Sequence, residues 1–228
     1  MTAEQLEIDP SNRYLSRGPR FRLAAEFLRD QALSISGLLN SEMGGPGVKP
    51  YQPKGLWNEV SLDGNLRFKV DSGDKLYRRS LYTYWKRSSP PPNMVLFDAP
   101  TREKCTVRRG KTNTPLQALV LLNDPQFVEA ARIFAERILR EGGDSVQDKI
   151  DFAVRTATAK APTAKMKKVL SKLVEKELKT FEANRQRAKK LLSVGDSPAD
   201  KKLDAAEVAA WTVISNLIFN LDEFVTRG

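Results

Sequence analysis

The residues best suited to chemistry lie in one run, Arg108-Arg109-Gly110-Lys111-Thr112-Asn113-Thr114-Pro115, where three cations and three hydrogen-bonding side chains precede a helix start. Guanidinium groups fork onto carboxylate, sulfate or phosphate oxygens, and the unpaired N–H groups of a helix N-terminus favour the same ligands. Arg108, Arg109, Lys111, Thr112 and Asn113 therefore form a candidate anion- or ligand-binding set. The competing reading pairs the arginines with internal acids such as Asp98 or Asp124 and leaves Thr and Asn as caps. A second set is aromatic: Tyr51, Trp57, Tyr77, Tyr82, Tyr84 and Trp85 fall close together beside Pro-rich loops. Of these, Tyr51, Trp57, Tyr82 and Trp85 are candidate stacking surfaces for a ligand such as a sugar ring, with core packing as the alternative fate.

Acid/base and nucleophilic chemistry find less support. Glu26 with Asp30, Asp71 with Asp74, and Asp222 with Glu223 could act as carboxylate pairs on a glycoside, but their spacing does not distinguish them from solvated helix-face acids. Cys105 lies near Lys104, Arg108 and Arg109, which would lower a thiol pKa. The chain has no histidine and one cysteine. That removes His bases, His-ligated metals, an internal disulfide, a four-Cys zinc site and a C-x-x-C-H haem attachment. Cys105 is thus expected to be a small buried or partly buried residue, and no catalytic residue, metal or cofactor is assigned to this chain.

The net charge is +10, from 38 Lys and Arg against 28 Asp and Glu. Residues 160–190 carry eleven Lys and Arg against Glu175, Glu177 and Glu182. Such a segment could bind nucleic acid through counterion release. Its lysines interleave with the acids on the polar face of an amphipathic helix, and no aromatic platform accompanies them, so a solvated face is expected and nucleic acid is the weakest of the partner readings.

The positioning elements are mostly helical. Phe21, Ala24, Ala25, Leu28, Ala32, Ile35 and Leu39 recur at three and four, which predicts a helix over 20–40 with Arg22, Glu26, Arg29 and Asp30 facing out. Three prolines and four glycines between Met43 and Asn58 predict an ordered, extended excursion. Leu66, Phe68 and Val70 alternate with polar residues as a short strand would, and Asp74 can cap a helix carrying Leu76, Tyr77, Leu81, Tyr84 and Trp85. Thr114-Pro115-Leu116-Gln117 has the grammar of a capping box, with a helix to about Asn123; Asp124-Pro125 then starts a second helix. That helix places Phe127, Ala130, Ala131, Phe134 and Ile138 on one side, and Glu129, Arg132, Glu136 and Arg140 on the other as charge pairs. Further helices are expected over 145–159, 163–192 and 204–225. Stretches 205–210 and 211–221 are broken by Glu207, Thr212, Ser215 and Asn216, so no membrane span is expected.

The irregular segments are themselves distinctive. Asn12-Arg13-Tyr14-Leu15-Ser16-Arg17-Gly18-Pro19-Arg20-Phe21-Arg22, Gly44-Gly45-Pro46, Val48-Lys49-Pro50-Tyr51-Gln52-Pro53, Gly55-Leu56-Trp57, Phe97-Asp98-Ala99-Pro100 and Thr112 to Pro125 resemble the planctomycete-type PSD1 domain of unknown function. Ala209-Ala210-Trp211 and Asn220-Leu221-Asp222-Glu223 resemble that family's closing helix. The resemblance implies the C-terminal domain of a longer exported protein whose cytochrome-c-like domain, and haem c, lie upstream. Partners would include those upstream domains, and an exported setting makes an acidic polysaccharide a reasonable ligand. It implies the periplasm or cell envelope, although Met1 to Pro10 has neither a basic n-region nor an apolar h-region, and alone the chain would be cytoplasmic. The expectation is a piece of a longer gene product, truncated at its N-terminus.

Together these readings predict a mainly α domain with long ordered Pro/Gly-rich loops and at most a short β element in its first half. A loop-rich helical part over 1–143 and C-terminal helices over 144–228 are expected to form one continuous domain. The expected role is a non-catalytic binding or structural module that docks a partner or acidic polysaccharide, with a carboxylate-based carbohydrate enzyme as the alternative.

Overall fold

The computed structural model describes residues 3–61, 65 and 67–227. In chain order the elements are α1 (Ala3–Ile8), β1 (Phe21–Arg22), α2 (Ala25–Ser36), α3 (Pro92–Leu96), α4 (Pro115–Asn123), α5 (Pro125–Glu141), α6 (Val146–Thr158), α7 (Ala164–Ala183), α8 (Arg185–Leu192), α9 (Ala205–Phe219), α10 (Asp222–Val225) and β2 (Thr226–Arg227). The protein is mainly α. The one sheet among the described residues is antiparallel, with Phe21 opposite Arg227 and Arg22 opposite Thr226. None of the described helices is long and apolar enough to cross a membrane.

Helix starts follow local chemistry. Asp124 accepts from the Gln126 N–H with Pro125 at the first helical position, Ser145 accepts from Asp148 N, Thr163 from Met166 N, and Asp204 from Ala206 N and Glu207 N. The stretch expected as one helix over 163–192 breaks at Asn184, whose side chain caps α8 by accepting from Arg187 N. The expected helix over 204–225 likewise ends at Phe219 and restarts at Asp222. Backbone donation from Glu207 pulls the Asp204 carboxyl below its ordinary value, with burial opposing and Ala206 N and Arg185 assisting. Asp204→Ala should therefore cost about 1 kcal/mol at neutral pH. A depressed carboxyl stabilises above its unfolded value near about 4 and loses that contribution as pH falls through the lower folded value. Urea midpoints of the two proteins should thus differ at neutral pH and converge in acid; an acid-independent difference contradicts the charge-assisted cap.

The core runs through both halves of the chain. α5 and α9 pack together at its centre, α2, α4 and α6 lie against α5, and α7 and α8 lie against α9. Phe134 stacks on Phe219 at 6.0 Å between ring centroids, and Phe219 on Phe224 at 4.7 Å. Trp211 is buried, as expected.

Several expectations change. α2 begins at Ala25, not near residue 20, because Phe21 and Arg22 are drawn into the strand with β2. Arg29 does not face out: it is 2% exposed. Glu129, Arg132 and Glu136 of α5 are buried too, since the loop over 196–200 covers that side of the helix. The region from Gly73 forms two short 3-10 turns, Gly73–Tyr77 and Ser80–Tyr82, in place of a helix to Trp85. No strand includes Phe68 or Val70, and Leu66 lies outside the described residues.

The Pro/Gly-rich excursion is ordered, as its composition predicts, because the turns lace it down. Asn40 N donates to Tyr77 O, Val48 N to Tyr82 O and Tyr84 N to Val48 O. The buried Arg78 guanidinium donates to the carbonyls of Glu42, Gly44 and Pro46. Gly44 has φ +80° and Gly45 φ +79°, a conformation that disfavours any side chain.

Candidate functional site

The basic run folds back over the start of α2. Residues 108–113 are all exposed, and Arg109 Nη1 reaches Glu26 Oε2 at 2.7 Å. That pair is 43% and 18% exposed at its two side chains, so it contributes little to stability and leaves Arg109 free to exchange partners. The internal partner is Glu26, not Asp98 or Asp124. Asp98 instead holds the loop: its carboxylate accepts from Thr112 N at 2.7 Å and Thr112 Oγ1 at 2.9 Å. Asp98 adopts φ +60°, one of five non-glycine residues with positive φ among those described. Asp124 caps α5 and accepts from Asn93, and burial raises its pKa against those hydrogen bonds and the attraction of Arg29.

Gln117 does not close a capping box with Thr114, whose side chain makes no cap hydrogen bond. Gln117 is fully buried, and its Nε2 donates to Leu96 O at 2.8 Å and Thr112 Oγ1 at 3.0 Å. The chain thus converges, through Asp98, Thr112 and Gln117, on a cavity of about 140 Å³ lined by Phe21, Arg22, Leu23, Ala24, Phe27, Phe97, Asp98, Arg109, Gly110, Lys111 and Gln117. Lys111 Nζ sits 4.7 Å from the Phe21 ring centroid. Burial lowers the Arg22 pKa, opposed by the attraction of Asp98. The site has cations from two segments distant in sequence, aromatic walls, and one acid already occupied by Thr112.

Of the expected binding set, Arg109 and Lys111 line this cavity and Arg108 stands beside them in solvent. Thr112 acts as the structural clip to Asp98. Asn113 borders a neighbouring cavity with Arg22, Thr114, Leu121, Asn220 and Asp222. Arg22, Gln117 and the phenylalanines were missed. Arg22 belonged to a helix face by periodicity, and Gln117 to a cap by motif; only the arginine-rich opening segment hinted at the former.

Members of the aromatic set meet in pairs, Trp57 with Tyr84 and Tyr51 with Tyr77 at the Glu129 carboxylate, and each of the four candidates has a protein partner. Trp57 is 6% exposed, its ring 5.0 Å from Phe68 and 5.8 Å from Tyr84, with Lys49 and Lys86 over its face. Tyr51 donates to Glu129, Tyr82 lies against the Arg78 guanidinium and accepts from Gly44 N, and Trp85 donates to Thr101 O with Arg102 over its ring. None of the four borders the basic cavity.

Four of the six paired carboxylates are engaged: Glu26 by Arg109, Asp30 by Ser80, Asp71 by the Lys49 N–H and Asp222 by Arg20. Cys105 is exposed, contrary to its expected burial, because its loop lies outside the packed helices. On α7, Lys165, Lys168, Lys172, Lys176 and Lys179 are exposed opposite buried Leu170, Val174 and Phe181, the solvated face the pattern predicts. Among the described residues no cluster of three or more metal-ligating side chains occurs.

Fold and site together define a mainly α-helical domain with a basic, phenylalanine-walled cavity between its N-terminal segment and the loop before α4. The chain belongs to the PSD1 family, described as proteins of unknown function (DUF1553), whose model matches residues 1–174. The segments at 209–211 and 220–223 that resemble the family's closing helix lie beyond the matched residues. No curated protein and no solved structure matches the chain.

Proposed function

We propose that this domain is a non-catalytic binding module that docks an anionic ligand, an acidic polysaccharide by preference, on the basic loop and the cavity beneath it. The observation that carries the reading is the placement of Arg109 and Lys111, exposed at the mouth of a built cavity with Arg22 at its wall. Charge-assisted hydrogen bonds from guanidinium to carboxylate are the strong polar contacts available to such a site. In each candidate carboxylate pair at least one acid, Glu26 and Asp30, Asp71, or Asp222, is held by a structural partner, which favours binding over carboxylate catalysis. By family resemblance the domain belongs to an envelope-associated, cytochrome-c-linked protein. Haem c would reside in a separate part, since one cysteine and no histidine do not fit its attachment.

The full chain should be retained on immobilised polygalacturonate at low ionic strength and released as salt screens the contacts. The triple variant Arg108→Gln, Arg109→Gln, Lys111→Gln changes only exposed positions and should keep its stability within about 0.5 kcal/mol. Its affinity should fall about tenfold or more. Absent retention of the wild type, or equal retention of the variant, overturns the reading.

A further inference from the structure

A second cationic surface lies on α7, and it is a row. Lys165, Lys168, Lys172, Lys176 and Lys179 recur at three and four, which gathers them within about 80° of the helix circumference along about 21 Å of its axis. All five are exposed, and the row points away from Leu170, Val174 and Phe181, which anchor the helix in the core. Lys167, off the row, pairs with Asp151, whereas none of the five has an ion pair among the described residues. Glu175 and Glu182 flank one edge of the row and Glu177 falls on the opposite side of the helix, so the row itself carries one sign of charge. Like charges one turn apart weaken a helix, so this arrangement costs stability that a mixed face would not.

The chemistry of the row selects its partner. Lysine ammonium groups are point charges without the fork of arginine, and no aromatic side chain stands among them to stack a base or a sugar ring. The row is convex and has no walls, so it meets a plane better than a chain that must be held in register. Val169, 54% exposed, stands one turn from both Lys165 and Lys172. A lipid headgroup layer can take up that apolar side chain, and a polyanion in water cannot. We propose that the lysine face of α7 docks the protein on an anionic lipid surface, with the helix axis lying in the membrane plane. The five ammonium groups reach the headgroup phosphates, and Val169 enters the headgroup layer beside them. The surface is distinct from the basic loop over 108–113 and acts without it.

The test is co-sedimentation of the full chain with vesicles of phosphatidylcholine, alone or mixed with phosphatidylglycerol. The chain should bind the mixed vesicles, leave the neutral ones, and be released as salt screens the contacts. Lys168→Gln, Lys172→Gln and Lys176→Gln together should weaken binding about a hundredfold, at about fivefold per lysine. All three side chains are exposed, so the thermal unfolding midpoint should stay that of the wild type. Lys54→Gln, Lys69→Gln and Lys75→Gln remove the same charge from exposed positions outside α7 and together should weaken binding less than about fivefold. Equal losses in the two triple variants mean attraction to the total charge and overturn the proposal. Equal binding to neutral vesicles, or binding to neither kind, overturns it too. Retention on duplex DNA without vesicle binding overturns it in favour of a nucleic-acid surface.

Discussion

Replacing Glu129 with alanine should lower the unfolding free energy by about 3–5 kcal/mol, a large part of the 5–15 kcal/mol typical of a domain. Glu129 is 1% exposed and serves four donors. Its Oε1 accepts from Tyr77 OH at 2.8 Å, Asp196 N at 2.8 Å and Ser197 N at 2.7 Å, and its Oε2 from Tyr51 OH at 3.0 Å. Truncation leaves a buried phenol and two peptide N–H groups unmatched, and it removes an acid 4.0 Å from the fully buried Arg132. The loop carrying Asp196 is shaped to this carboxylate: Gly195 has φ +97°, and a Cβ there would lie 2.2 Å from Glu129 Cδ. Burial first, and the neighbouring Glu129 second, push both phenols above their ordinary pKa. A phenol with a raised folded pKa stabilises the native state below its unfolded value near about 10, and that contribution drains away as pH rises beyond it. In Glu129→Gln the charge component disappears, so alkaline destabilisation should be smaller while the neutral-pH loss stays below that of alanine. Urea midpoints at neutral and alkaline pH measure both effects. A Glu129→Ala protein within about 1 kcal/mol of wild type would show that the network is not a structural hub.

Arg29→Ala should cost a similar amount, about 3–5 kcal/mol, by a different route. The buried guanidinium donates from Nε to Gln126 Oε1 at 2.6 Å, from Nη1 to Arg78 O at 2.7 Å and from Nη2 to Leu76 O at 2.6 Å, tying α2 to α5 and to the 3-10 turns. Burial pulls its pKa down to about 10, with Asp30 and Asp124 opposing, so it remains a cation at neutral pH. Removal strands three buried acceptors. Asp30 still holds Ser80 through its N–H and hydroxyl, so the turns should loosen without detaching. Hydrogen exchange should accelerate most at Asn40, Val48 and Tyr84, whose N–H groups bridge the Pro/Gly-rich excursion and the turns. Arg29→Lys should not rescue, because an ammonium cannot span acceptors spread around a planar fork. Uniform exchange rates, or a stability loss below about 1 kcal/mol, would contradict the anchoring role.

Helical periodicity places both hubs in solvent, and tertiary packing encloses them. A helical wheel assigns charged residues to the solvent side, and that holds on α7, where one face is packed and the other is open. On α5 the flanking Ala130, Ala131 and Ala135 let neighbours approach closely, so Glu129, Arg132 and Glu136 are enclosed with their partners. Those partners, Ser197 O for Arg132 and Asp200 N for Glu136, come from a loop more than sixty residues away.

What the sequence determined by itself is what nearest neighbours along the chain can decide. Asp124-Pro125, Ser145, Thr163 and Asp204 start helices because each cap satisfies N–H groups two or three residues ahead. The mainly α character, the ordered excursion and the excluded histidine and disulfide chemistry follow equally from composition and spacing. Tertiary structure alone decided which charges are buried, where Phe21 and Arg22 leave the helix for a strand, and which residues meet at the basic cavity. Arg22, Asp98, Arg109 and Gln117 span nearly a hundred positions, and their meeting is set by the free energy of packing α2 and α4 on α5, which no local pattern encodes.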